Sequence, residues 1–431
     1  MIPPVIPGGP VVPLVVGGTV TGLLGSGLVL QNNGGDDRAI SANGSFTFAT
    51  ALPSGTGYTV TVKDQPNILT RVCSVSNGSG TVTTADIVNV TITCAAPRAR
   101  FAYTANSLGN SVTALSVDVA TGEVQRLPGL DVGSGTQPMS VAAAPSGKFV
   151  YVTNYVDRNV STFAVDTATG ALSEVLSRVT TGTGPVMVAV HPTGRFAYVT
   201  NRIAGTVTVY DIDSTTGALT RITAPPLPAG APYSLALDPL GRFAYVGDEV
   251  SHTVSAFSID PSSGELTRLP ALAPAAGNYP IGIAVDPIGR FVYAANLNVS
   301  NVSGYRRNDV TGELTSMSPP SVSMAGNAAG IAIDPTGQFA YVTNSSTHTV
   351  SGFRIDATTG ALTPLAPARA PTVANPFAVA FDPTGRFVYV GSGSSGAVMG
   401  YVLDPLTGAL TAMVGVPPVA GGGARGIAFV R

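Results

Sequence analysis

Short stretches in which apolar and polar residues alternate fill most of this 431-residue chain, and Gly, Pro, Asn, Asp and Ser punctuate them. Alternation with a period of two places one face of a strand in a core, and turn residues at short intervals mark hairpins. Through residues 98–431 the pattern recurs at a fixed period. An F-x-Y triplet begins at Phe101, Phe149, Phe196, Phe243, Phe291, Phe339 and Phe387, each 47 or 48 residues after the last. An alternating run ending in a turn precedes each triplet but the first, as in Ser234 to Gly241 and Phe377 to Gly385. A third run follows, such as Val207 to Tyr210, and then Asp118, Asp166, Asp213, Asp260, Asn308, Asp356 or Asp404, four residues ahead of a Gly. Four strands per repeat and seven repeats predict an all-β fold built around a seven-bladed β-propeller.

Two details order the strands. The middle residue of the strand before F-x-Y is alanine in every copy: Ala142, Ala189, Ala236, Ala284, Ala332, Ala380 and Ala428. Bulk fits least well near the axis, so this strand is expected innermost, with its methyl groups at a crowded hub. The last copy, around Ala428, has no strands after it, and the first F-x-Y strand has no inner strand before it. Pairing the two closes the ring and removes two open edges that would invite aggregation.

Residues 17–96 carry no copy of this repeat. Alternating segments at Gly18 to Leu23, Gly27 to Leu30, Ser45 to Phe48, Tyr58 to Val62, Val72 to Val75 and Val88 to Cys94 predict a small Ig-like β-sandwich. Residues 1–16 read as a Pro/Gly-rich linker, and Pro97 marks the join to the propeller at 97–431. Cys73 and Cys94, the only cysteines, stand in two of the strand-like segments. A bridge between them would stabilise by about 3 kcal/mol and requires an oxidising compartment. Two reduced, buried thiols are the alternative.

Composition narrows the partners. With 44% apolar and 11% charged residues and a net charge of −2, the chain has a large core and no basic field for phosphate, which argues against nucleic acid. No apolar run reaches the length of a membrane span. The expected setting is extracytoplasmic, with Met1 standing where a leader has been removed. The apolar segment Val11 to Val16 could also add as a strand to a neighbouring molecule, giving self-association.

Tyr151-Val152-Thr153-Asn154, Tyr198-Val199-Thr200-Asn201 and Tyr341-Val342-Thr343-Asn344 are copies of the motif that names the YVTN propeller repeats. With turns such as His191-Pro192-Thr193-Gly194 and Asp382-Pro383-Thr384-Gly385, residues 98–431 resemble the seven-bladed lactonase-like family, which includes 6-phosphogluconolactonase. Gly18 to Gly22 and Leu52 to Val62 resemble carboxypeptidase-regulatory and Cna-B-like modules. In the lactonases an Arg-His pair on an inner strand and an Asn-Glu pair ending a second strand contact the substrate. The resemblance places Glu249 at the acid, with Asp248 in place of Asn, and Arg425 at the arginine; no blade supplies the histidine.

Ligands on propellers are expected at the face formed by the second-to-third hairpins and the connections between blades. Glu249, His252 and Arg202 stand on adjacent hairpins there and form the best set for acid or base work. Arg425, Tyr233, Asp248 and Asn201 are the candidate ligand-binding residues. Solvated loop tips are the bland alternative. His191 and the aspartates Asp238, Asp286, Asp334 and Asp382 belong to turns, where a side chain caps its own backbone. No spacing suits a metal and no cofactor motif is present. The sequence therefore points first to a binding or surface structural module taking a small molecule, glycan or protein on the propeller face. A lactone hydrolase and a self-assembling surface protein are the alternatives.

Overall fold

A computed structural model describes residues 13–24, 26–66, 72–95, 100–175, 178–222, 230–271, 274–415 and 418–430. Two compact units divide the chain, Met1–Pro97 and Arg98–Arg431. The first holds two four-stranded sheets. One runs Gly44–Thr47, Val16–Thr21, Ile87–Ala95, Val72–Ser76, and the other Asp36–Ile40, Leu28–Asn32, Gly57–Asp64, Ser79–Thr81. Alternation directs Val16, Val20, Leu28, Leu30, Tyr58, Val60 and Ile92 into one common core. Gly18 is required by the close parallel neighbour: a Cβ there would lie 1.7 Å from the Val90 carbonyl oxygen. Cys73 and Cys94 are directly opposite in register and joined by a disulfide.

Two strands of this unit escaped the sequence pattern. Asp36–Ile40 exposes its middle residues and Ser79–Thr81 exposes all three, so neither shows an apolar face. The proposed assembly segment reads differently too. Leu14 bridges Leu52, the Val15 carbonyl accepts from the Ile87 N–H, and Val16 begins a strand. Residues 14–16 thus spend their pairing groups within their own unit rather than on a neighbour, while residues 1–12 lie outside the described residues.

The second unit is the seven-bladed propeller. Six inner strands are Pro138–Ala143, Pro185–Val190, Pro232–Leu237, Pro280–Val285, Ala328–Ile333 and Pro376–Phe381, serving blades 2 to 7. Blade 1 takes its inner strand from the end of the sequence: Ala424–Val430 pairs antiparallel with Phe101–Asn106, matching Ala428 to Tyr103 and Val430 to Phe101. The second strands are buried along their whole length in all seven blades.

The F-x-Y triplet is what locks blade to blade. Each tyrosine hydroxyl donates to the carbonyl of the glycine in the third-to-outer turn of the next blade, from Tyr103 to Gly170 round to Tyr389 and Gly122, at 2.5–3.2 Å. The phenylalanine ring covers that same glycine: a Cβ on Gly170 would meet Phe101 at 2.4 Å, and one on Gly122 would meet Phe387 at 2.4 Å. These glycines also hold φ between 72° and 77°, apart from any steric demand. The aspartate that opens six of these turns, replaced by Asn308 in blade 5, accepts two backbone N–H bonds, as Asp166 does from Ala168 and Thr169, which keeps the Asp166 carboxyl below the usual range.

The alanine rule of the inner strands has a more specific cause than a crowded hub. Ala142 pairs with Tyr151, Ala189 with Tyr198, Ala236 with Tyr245, and so on to Ala428 with Tyr103. Directly paired residues share a face. The methyl group leaves room for the interlocking tyrosine.

Candidate functional site

The seven inner strands converge on an axial cavity of about 150 Å³, to which every blade contributes. At equivalent inner-strand positions, blades 1 to 7 present Arg425, Met139, Val186, Tyr233, Ile281, Ala329 and Phe377. A second ring lies at the residue after each second strand: Ser107, Tyr155, Arg202, Glu249, Leu297, Ser345 and Gly393. The chemistry collects on blades 1 to 4 of these rings.

Arg202 Nε donates to Glu249 Oε1 at 2.5 Å, and its Nη1 lies 3.4 Å from the Tyr155 hydroxyl. The Glu249 side chain is only 6% exposed, so Arg202 is its main counter-charge. The same guanidinium lies 6.0 Å from the centroid of the Tyr233 ring. Burial pushes the Tyr233 phenol up, while Arg425 and Arg202 pull it partly back. Arg425 stacks on Phe377 at 4.4 Å, and its buried Nε has no hydrogen-bond partner. Among the described residues no carboxylate pairs with it. The cavity therefore presents one uncommitted cation and a phenol, beside a carboxylate held by a second arginine.

Of the residues expected at the site, Tyr233 and Arg425 line the cavity, and Arg202 and Glu249 pair with each other beside the Tyr233 ring. The other three do not join them. His252 has a positive φ of 56°, and its Nδ1 accepts from the Tyr279 N–H at 3.4 Å, with the two rings 5.7 Å apart. His348 does the same with Asn375, and Asn110 with Gln137. This position clips a hairpin to the following connection, and no hydrogen bond links His252 to Glu249 or Arg202.

Asn201, the last residue of its motif, is fully buried. Its amide donates to Thr206 and Thr208, and its Oδ1 accepts from the Thr181 hydroxyl, which leaves nothing for a ligand. Asn154, Asn296 and Asn344 make the equivalent donations, so the asparagine of the motif is a hairpin clip. Asp248 takes that role in blade 4. Burial pushes its carboxyl up, but donors from Ser251, Ala231 and Val250 outweigh this and hold it below the usual range.

Tyr155 was not singled out from the sequence, although it occupies the same position as Arg202 and Glu249. Lining up the residue after each second strand reveals it. Among the described residues no three His, Cys, Asp or Glu side chains gather as a metal would need. His191 sits in its turn, with Nε2 2.8 Å from the Gly241 carbonyl and Nδ1 2.7 Å from the Thr193 hydroxyl.

Seven sheets, a closing carboxyl-terminal strand and an axial cavity define a seven-bladed β-propeller. The family described as Lactonase, 7-bladed beta-propeller matches residues 83–189, 177–274 and 315–424, and the chain belongs to it. Solved structures agree on the fold. A candidate 6-phosphogluconolactonase from Bacteroides uniformis is 20% identical, covering 78% of this chain and 100% of its own, with a TM-score of 0.67. The periplasmic gluconolactonase PpgL of Pseudomonas aeruginosa is 20% identical over 77% and 99%, with a TM-score of 0.65. The hydrazine synthase of Kuenenia stuttgartiensis, 21% identical over 73% and 92%, has a TM-score of 0.53. These likenesses concern fold alone, and the last underlines that one fold hosts different chemistries. No curated protein matches the sequence.

Proposed function

We propose that the chain hydrolyses lactones at the axial cavity. The observation that carries this is the Arg202–Glu249 pair beside Tyr233, which lines that cavity with Arg425, in a chain of the lactonase family. Glu249 takes a proton from water as the water oxygen bonds to the lactone carbonyl carbon. Arg425 and Tyr233 donate to the carbonyl oxygen as charge builds on it. The ring carbon–oxygen bond then breaks, and the proton passes from Glu249 to the leaving ring oxygen, giving a hydroxy acid. Arg202 and Tyr155 position the carboxylate.

Hydrolysis of γ-butyrolactone and glucono-1,5-lactone, followed by acid release, tests this. Glu249→Gln should lower kcat about 100- to 10,000-fold, the usual share of a general base. Equal turnover in the variant, or none in the wild type, would overturn the reading. A non-catalytic binding or surface structural module is favoured by a different observation: His191 bonds to the Gly241 carbonyl in the next blade's turn, and His252 and His348 accept from the backbone of the connections at Tyr279 and Asn375. The disulfide supports an extracytoplasmic setting, as does the likeness to a periplasmic gluconolactonase. Among the described residues no helix is long and apolar enough to cross a membrane.

A further inference from the structure

The lining of the axial cavity bears on which lactone fits, and this inference rests on the lactone reading of that site. Five of the seven equivalent inner-strand positions are apolar, with Met139, Ile281 and Phe377 the largest. The Ser234 hydroxyl in the next layer is already spent on the Pro280 carbonyl. A sugar lactone carries hydroxyl groups around its ring, and each gives up water on entry. Without a partner that costs about 1–3 kcal/mol per group in proteins. Tyr233 and Arg425 on this ring of positions and Ser140 in the next layer are the hydroxyl-bearing or charged side chains that line the cavity, too few to serve them.

A phosphorylated sugar fits worse. A phosphomonoester carries about −1.5 to −2 charge at neutral pH and calls for several cations. Here Arg202 is committed to Glu249, which leaves Arg425 alone. One guanidinium with a buried, unpartnered Nε suits a single carbonyl or carboxylate.

The apolar character continues outward at the hairpin tips. Leu108, Val156, Ile203 and Val250 stand at equivalent positions on blades 1 to 4 and are 54–69% exposed, whereas blades 6 and 7 place Ser346 and Ser394 there. We propose that the cavity takes a lactone bearing an alkyl or acyl substituent. Its carbonyl meets Arg425 and Tyr233, and its substituent packs against Met139, Ile281 and Phe377.

Equilibrium binding and hydrolysis are measured on the full chain with γ-butyrolactone, γ-hexalactone, γ-octalactone, glucono-1,5-lactone and its 6-phosphate. Affinity should rise about fourfold per added methylene until the cavity fills. Both sugar lactones should bind at least about tenfold more weakly than γ-octalactone, the penalty of about one unpartnered hydroxyl. Met139→Gln, close in shape at a partly buried position, should flatten the dependence on chain length, and Ile281→Asn provides a second reading of the same wall. Alkyl lactones that bind with this dependence but are not hydrolysed would uphold the ligand class and remove the hydrolase. Hydrolysis that favours a sugar lactone would keep the hydrolase and overturn the ligand class. A flat chain-length series, or no binding of any lactone, would also overturn it.

Discussion

The two ends of each blade use the repeat in opposite ways. At one end lie the inner-to-second and third-to-outer turns, and the same atoms do the same work in blade after blade. Tyrosine hydroxyls meet glycine carbonyls seven times round the ring, and Asp238, Asp286, Asp334 and Asp382 each accept the N–H of the phenylalanine five residues on. At the other end the asparagine clip repeats, but the residue after it changes from Ser107 to Tyr155, Arg202, Glu249 and Leu297. Residues that recur hold the ring together, and residues that differ between blades at one structural position form the candidate site.

Removing Ala424–Val430 strikes hardest at the recurring end, because it strips blade 1 of its inner strand and opens two edges. Loss of the cooperative thermal transition and aggregation in sedimentation are expected. Next comes Tyr198→Ala, which deletes a fully buried ring and its bond to Gly264, at about 3–5 kcal/mol by chemical denaturation. Tyr155→Phe at the divergent end should stay within about 0.5 kcal/mol, sharpening the contrast. Replacing Cys73 and Cys94 by serine lies outside the ring altogether. It should lower the stability of the amino-terminal unit by about 3 kcal/mol and leave lactone binding unchanged.

The smallest effect concerns pH. His191 replaces the aspartate of its turn, and burial lowers its basicity below the ordinary value, against an opposing bond to the Gly241 carbonyl. A base depressed on folding contributes its stability above the unfolded value near 6.5 and loses it as pH falls through the folded value. Wild-type Tm should therefore decline between neutrality and about pH 5 more steeply than that of His191→Asn.

This contrast also explains what the sequence disclosed. Period, blade count and closure were legible because Phe, Tyr, Ala and Gly recur wherever one blade meets the next. Asp36–Ile40 and Ser79–Thr81 were not, since a strand without an apolar face leaves no alternation. At the site, residue type marked Arg202, Glu249, Tyr233 and Arg425. Type alone could not tell that Nδ1 of His252, the amide of Asn201 and the carboxylate of Asp248 are already taken by neighbouring backbone and hydroxyl groups. Whether a donor is spent depends on contacts between segments about 20 to 30 residues apart, which local pattern does not record.

The central claim is that ligand chemistry belongs to the divergent end. Hydrogen exchange of the full chain with and without 4-hydroxyoctanoate, the ring-opened form of γ-octalactone, tests it most directly. Slower exchange should appear in segments holding Tyr155, Arg202, Tyr233, Glu249 and Arg425, with the turns at His191, Asp238 and Asp382 unchanged. Protection centred on those turns, or no protection under saturating ligand, would contradict the account.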